Sequence, residues 1–265
     1  MNLDQFTLNG KFLMLALDHR GSFKKLINPK NPELVTDGEM ISLKSEIIKS
    51  LEDQFSGLLI DQNWGLKAYP QRKKPFLLPV ERSGYLDKNG ERVTELEYSA
   101  QHIKELGVSG AKLLIYFNPN AQNATLQLQT AKTALEDCQN NNLPLFLEIV
   151  TYGEEENLVI NSLKKFQEAG IVPDVWKLEY PGNLENCQKI TVMSGETPWI
   201  LLTGGQSFEE FKSELEIAVK EGAKGFLAGR ALWQEVCRLN GLEKEKFLKE
   251  TLPERFKILT EIMQL

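Results

Sequence analysis

Three charged residues stand inside stretches that otherwise read as buried strand: Lys112 in Ala111-Lys112-Leu113-Leu114-Ile115, Glu148 between Leu147 and Ile149, and Lys177 between Trp176 and Leu178. Side chains alternate along a strand, so Val175, Lys177 and Glu179 share one face, while Trp176, Leu178 and Tyr180 share the other. The second face is large and apolar, as for a strand covered by helices; the first carries a lysine. Burying an ammonium is expensive, so such a lysine is neutralised, paired or functional. One reading buries only its stem and lets the head reach solvent or a structural salt bridge. The other makes it a free amine that attacks a carbonyl carbon and forms a Schiff base. A second ammonium nearby helps keep that amine neutral, and a carboxylate takes and returns protons.

Such residues need elements to hold them. Apolar runs at 12–17, 57–61, 76–81, 111–117, 145–150, 173–182, 199–203 and 225–230 read as short strands buried on both faces. Helical periodicity covers 37–53, 95–106, 126–138, 154–169, 184–193, 231–239 and 243–263, and Ser207 with Glu210 forms a capping box for a helix running to Glu221. The residues after Asp18 read as a polar loop, and 82–94 as a long loop. Strand–helix alternation implies a parallel sheet with right-handed crossovers. Eight units in 265 residues predict an α/β fold, a single (β/α)8 TIM barrel spanning residues 1–265. An open doubly wound sheet is the runner-up, but no Gly-x-Gly-x-x-Gly follows the first strand.

In such a barrel the active site lies at the carboxyl ends of the strands. Those ends carry Asp18, Asp61, Glu81, Glu148, Glu179 and Arg230, with Lys112 and Lys177 deeper in their strands. Charges turned into one barrel must neutralise one another, and such a cluster shifts pKa values. After the seventh and eighth strands, Thr203-Gly204-Gly205-Gln206 and Ala228-Gly229-Arg230 each lead into a helix. Glycine admits a ligand close to the backbone, helix-start N–H groups attract anions, and a guanidinium grips phosphate or sulfonate. These loops are the usual phosphate site of the fold. Ordinary glycine turns beside a surface arginine are the plainer alternative. His19 and Arg20, directly after Asp18, are candidates for substrate or phosphate contact, and His19 reads equally as a simple loop residue. Two separated histidines, His19 and His102, do not build a histidine-rich zinc site, and no Gly-x-Ser-x-Gly elbow is present.

Bulk properties narrow the classes. Lys plus Arg is 31 against 37 Asp plus Glu, a net charge of -6 with no basic stripe, which argues against nucleic acid as partner. No signal peptide or membrane-length apolar run is found, and three scattered cysteines, Cys138, Cys187 and Cys237, suit a reducing, cytoplasmic setting. Barrels of this kind often associate, so a homo-oligomer is a prior only.

Six segments in order, Ala16-Leu17-Asp18-His19-Arg20-Gly21, Glu81-Arg82-Ser83-Gly84-Tyr85, Ala111 to Tyr116, Leu147-Glu148-Ile149-Val150-Thr151-Tyr152, Val175-Trp176-Lys177-Leu178-Glu179 and Gly225 to Trp233, resemble the class I tagatose-1,6-bisphosphate aldolases and the related sulfofructosephosphate aldolases. The resemblance runs over most of the chain. It implies a metal-independent barrel without cofactor that cleaves a ketose phosphate to dihydroxyacetone phosphate, or a related keto product, and an aldehyde through a lysine Schiff base. By motif it implies that Lys177 is the Schiff-base lysine, Lys112 the second active-site lysine, Glu148 the acid/base and Asp18 the first-strand aspartate. Gly204, Gly205, Gly229 and Arg230 would hold the anion. The chain departs from the tagatose enzymes at His19, where they have glutamine, and at Thr203-Gly204-Gly205, where they typically have serine-alanine-glycine; it is also shorter around the fifth and sixth units. Bisphosphate, sulfonated sugar phosphate and deoxy-keto acid phosphate remain open as substrates. A barrel that binds a sugar phosphate without cleaving it, and a phosphate-binding decarboxylase or isomerase, are the alternatives.

Overall fold

In a computed structural model describing residues 1–265, eight parallel strands pair in turn until the ring closes. The strands are β1 (Phe12–Leu17), β2 (Gly57–Ile60), β3 (Phe76–Pro79), β4 (Leu86–Lys88), β5 (Glu91–Val93), β6 (Gly110–Phe117), β7 (Leu145–Thr151), β8 (Val175–Leu178), β9 (Trp199–Leu202) and β10 (Gly225–Ala228). The closed order is β1-β10-β9-β8-β7-β6-β3-β2, with β4 and β5 outside it as a hairpin. The expected (β/α)8 barrel is therefore the fold. No helix is long and apolar enough to cross a membrane.

The period-2 reading of the strands holds in space. Inward residues Phe12, Met14, Leu59, Leu77, Phe146, Val175, Ile200 and Leu227 fill the lower barrel, and Phe6 plugs its floor with its ring edge-on to Phe146 at 5.2 Å. Outward residues such as Trp176, Leu178, Leu113 and Ile149 join the larger core between sheet and helices. Register sets Glu148 beside Lys177 and Lys112 beside Phe146, so the charged residues sit just above the apolar floor.

Helix boundaries follow local chemistry. Asp37–Leu51 starts at a Thr36–Glu39 capping box, and Phe208–Lys220 at the expected Ser207–Glu210 box. Three expectations are corrected. Residues 82–94 are not an open loop but contain the β4–β5 hairpin: Asn89 (φ 59°) and Gly90 (φ 83°) occupy a two-residue turn that demands positive φ at both positions. The helix expected over 95–106 begins at Ala100 with Ser99 as N-cap, because the N–H groups of Glu97 and Tyr98 donate to Val80 O and hold 95–98 against the end of β3. The stretch after Asp18 contains a short helix, Gly21–Ile27, around the buried Phe23. The last helix widens by one π turn at Phe247–Thr251 before Leu252–Ile262, next to Pro253, which has no N–H to donate.

Candidate functional site

At the carboxyl end of the barrel a cavity of about 270 Å³ is lined by Asp18, His19, Arg20, Glu81, Lys112, Glu148, Lys177, Gly204, Gly229 and Arg230, among others. Of the expected site residues only Gly205 does not line it; it stands behind Arg230 instead. Seven of the eight barrel strands lead into this wall, and each charged side chain comes from an inward position or the first turn beyond its strand.

Lys177 points into the barrel, with 5% of its side chain exposed, and its Nζ lies 2.8 Å from Glu148 Oε2. That same oxygen lies 3.0 Å from Lys112 Nζ. Lys112 Nζ also donates to Glu81 Oε1 at 2.6 Å and to Asp18 Oδ2 at 3.1 Å. The two lysines are thus not alike: three carboxylates surround Lys112, and one faces Lys177. Burial would lower the Lys112 ammonium, but Asp18, Glu148 and Glu81 outweigh it and push its pKa well above the usual lysine range. Burial would likewise raise Asp18 and Glu148; the Lys112 ammonium, with Lys177 and for Asp18 also His19, holds both below the ordinary carboxylate range. Glu81 goes the other way: burial raises it more than Lys112 lowers it. Lys112 is therefore a fixed cation, and the Lys177–Glu148 pair is a short path for a proton that opens on the cavity.

The other side of the cavity is formed by the glycine turns after β9 and β10 and by Arg230. Gly204 (φ 54°) and Gly205 (φ 90°) take left-handed backbone, which glycine adopts without strain. A Cβ on Gly205 would come within 2.8 Å of Arg230 Nη2, so the guanidinium fits flat against this turn only because no side chain is there. Arg230 Nε and His19 Nδ1 are buried without a hydrogen-bond partner. The His19 ring stands edge-on to Trp233 at 5.1 Å and against Gly229, whose Cβ would meet its Cε1 at 3.1 Å. Burial lowers the His19 pKa to about 4; Asp18 opposes this and Arg230 adds to it, so the ring is neutral at pH 7.

One expected contact, Arg20, and one strand-end acid, Glu179, make further bonds. Arg20 lines the cavity, and its guanidinium donates to Glu97 Oε2 at 3.0 Å and to the carbonyl of Glu81 at 2.9 Å, fastening β1's loop to β3's. Glu179 accepts from Thr151 N and Oγ1 at 2.7 and 2.8 Å, tying the ends of β7 and β8 together beside a neighbouring hollow. Sequence reasoning noted Glu81 and Asp61 as strand-end acids without giving them a role, and missed Lys44 entirely. Lys44 is fully buried on Asp61, and its position on the Met40–Leu43–Ile47 apolar stripe was the available signal. No group of three or more His, Cys, Asp or Glu side chains is disposed to hold a metal ion.

The profile described as "DeoC/LacD family aldolase" matches residues 12–235. Tagatose 1,6-diphosphate aldolase of Staphylococcus aureus is 29% identical over 292 aligned residues, covering 95% of this chain and 89% of that protein. Among solved structures, an archaeal fructose 1,6-bisphosphate aldolase superposes with TM-score 0.70 at 18% identity, covering 98% of both chains. An archaeal fructose-1,6-bisphosphate aldolase described with its catalytic Lys covalently bound to the carbinolamine intermediate of the substrate gives 0.67 at 20% identity, again over 98% of both chains. At these identities the structural likenesses speak for the fold.

Proposed function

This chain belongs to the DeoC/LacD family of aldolases, and we propose that within it Lys177 is the nucleophile of a class I, Schiff-base reaction on a phosphorylated ketose. The observation that carries this reading is the buried Lys177–Glu148 pair, 2.8 Å apart and open to the cavity. Glu148 takes a proton from the Lys177 ammonium, and the free amine attacks the ketone carbon. The C–N bond forms as the carbonyl π pair moves to oxygen, and one proton passes from the new N⁺–H to that oxygen, giving a neutral carbinolamine. Glu148 returns its proton to the leaving hydroxyl, water departs, and the nitrogen lone pair closes the iminium. Glu148, again a carboxylate, removes the proton of the hydroxyl on the carbon beyond the bond to be cleaved. That C–C bond breaks, its electrons enter the iminium to give an enamine, and the aldehyde leaves. Protonation and hydrolysis of the enamine release the keto product, dihydroxyacetone phosphate or a relative of it.

Lys112, held as an ammonium by Asp18, Glu81 and Glu148, supplies positive charge where the substrate oxygens become negative. Asp18 orients substrate hydroxyls and fixes Lys112. The Gly204–Gly205 turn, Gly229 and Arg230, with an Nε still free to donate, hold the phosphate and so set the carbonyl against Lys177. His19, neutral, contributes a hydrogen bond rather than charge. The test is a panel of ketose phosphates assayed for aldehyde release. Cleavage of at least one of them, abolished by borohydride only when substrate is present, supports the reading. Ligand-induced stabilisation without any aldehyde would instead favour a barrel that binds and does not cleave.

A further inference from the structure

Glu81 has an oxygen with nothing to bond. The residue is 4% exposed and lines the cavity; Oε1 accepts from Lys112 Nζ at 2.6 Å, and Oε2 is buried without a partner. Charge balance bears on what that oxygen carries. Around Lys112 lie Asp18, Glu81 and Glu148; Lys177 is the one further cation paired with their side chains, since Arg20, which reaches the Glu81 main-chain carbonyl, is paired with Glu97. Three carboxylates against two ammoniums would bury a surplus negative charge, which is costly unless one acid keeps its proton. A neutral carboxyl has one O–H donor. With Oε1 facing the Lys112 ammonium, that hydrogen belongs on Oε2.

The ring order gives Glu81 a direction. β3, which ends at Glu81, lies four strands from β9 whichever way the barrel is followed, so it stands across the mouth from the Gly204–Gly205 turn. Between them on one side lie β8 and β7 with Lys177 and Glu148, and on the other β1 with Asp18. A substrate with its phosphate at the glycine turn and its carbonyl at Lys177 sends the rest of its carbon chain toward β3. On the same wall Arg82 is 65% exposed and paired with Glu95, so Glu81 is the buried group that this end meets.

We propose that Glu81, through its free Oε2, hydrogen-bonds an oxygen substituent on the aldehyde half of the substrate and thereby selects which aldehydes this enzyme releases and accepts. This rests on the Schiff-base reading above. Leaving a buried polar group unpaired is what makes such a contact discriminating: an aldehyde without the oxygen loses the bond and strands the carboxyl.

The reverse reaction tests it. Dihydroxyacetone phosphate is supplied with glycolaldehyde or acetaldehyde, which differ by one hydroxyl. The wild type is expected to prefer glycolaldehyde in kcat/KM by at least about tenfold. Glu81→Ala is expected to bring that ratio close to one, and Glu81→Gln, whose amide donates from the same place, to retain most of it. In parallel, borohydride trapping of dihydroxyacetone phosphate on Lys177 is measured in all three proteins, so that any loss of the Lys112 contact, which slows both aldehydes alike, is separated from the aldehyde ratio. An unchanged aldehyde ratio in Glu81→Ala with trapping intact overturns the assignment. Trapping slowed in Glu81→Ala with the aldehyde ratio unchanged also overturns it, because Glu81 would then act only by holding Lys112 in place. A wild type that traps nothing overturns the Schiff-base reading itself, and this assignment with it.

Discussion

Lys44 and Lys177 are both buried lysines held by a carboxylate, and the proposed reaction gives them opposite roles. Lys44 Nζ gives one bond each to Leu17 O at 2.8 Å, His19 O at 2.9 Å and Asp61, so its three protons are all spoken for, and it sits over the Phe23 ring. It grips the backbone on either side of Asp18. Lys177 has one partner, Glu148, and a cavity on its other side. A saturated ammonium holds a structure together; one with a single proton acceptor and open space can lose that proton and bond to carbon. Burial by itself therefore does not mark a reactive lysine. What marks it is the number of acceptors it lacks.

Exchanging the two lysines one at a time should separate the roles. Lys177→Met is expected to lower kcat by at least about 10⁴-fold with little change in the unfolding midpoint. Lys44→Met, which strands Asp61 as a buried charge, is expected to cost about 3–5 kcal/mol of stability in denaturant melts while the folded fraction still forms the Lys177 imine. If Lys44→Met folds normally and is as inactive as Lys177→Met, the distinction collapses. Glu148→Gln should follow in size. It keeps the shape beside Lys177 but cannot accept its proton, and pre-steady-state imine formation is expected to slow by about 10²–10⁴-fold. Arg230→Ala should act on binding: KM for a ketose phosphate rises about 10–100-fold, with a smaller change in kcat.

A pH-dependent effect concerns His19, whose main-chain carbonyl Lys44 holds. Its folded pKa of about 4 lies below the ordinary histidine value, so the unfolded chain binds the proton more readily. Stability should then fall as pH drops from about 6.5 toward 4 and level off below that, by up to about 3 kcal/mol. Asp18, with its pKa depressed, acts in a lower window: its contribution is present above the ordinary aspartate pKa and is lost as pH falls through its folded value. His19→Gln should flatten the upper slope and change the lower one less, since Lys112 is the larger cause of the Asp18 shift, as read from melting temperature against pH.

Much of this could be read from residue order, and the exceptions have physical causes. Strands buried on both faces are short apolar runs, so a charge inside one is conspicuous; Lys112, Glu148 and Lys177 were visible for that reason, and Asp18 because it closes such a run. Glu81 closes one too, but acids end strands for many reasons. Only the closed ring, which sets β3 opposite β9, gives Glu81 its place. Arg20 reads as an anion contact, and the bonds of its guanidinium to Glu97 and to a main-chain carbonyl far away in sequence could not be read from residue order. The hairpin at 86–93 escaped notice because its strands bury little and the signal lay in the Asn89-Gly90 pair alone.

The most direct measurement is mass spectrometry of peptides from protein treated with borohydride in the presence of a cleavable ketose phosphate or of dihydroxyacetone phosphate. The peptide carrying Lys177 should gain the mass of the reduced keto adduct, and those carrying Lys112 and Lys44 should not. An adduct on Lys112 in its place, or full cleavage activity with Lys177 unmodified, would contradict the account.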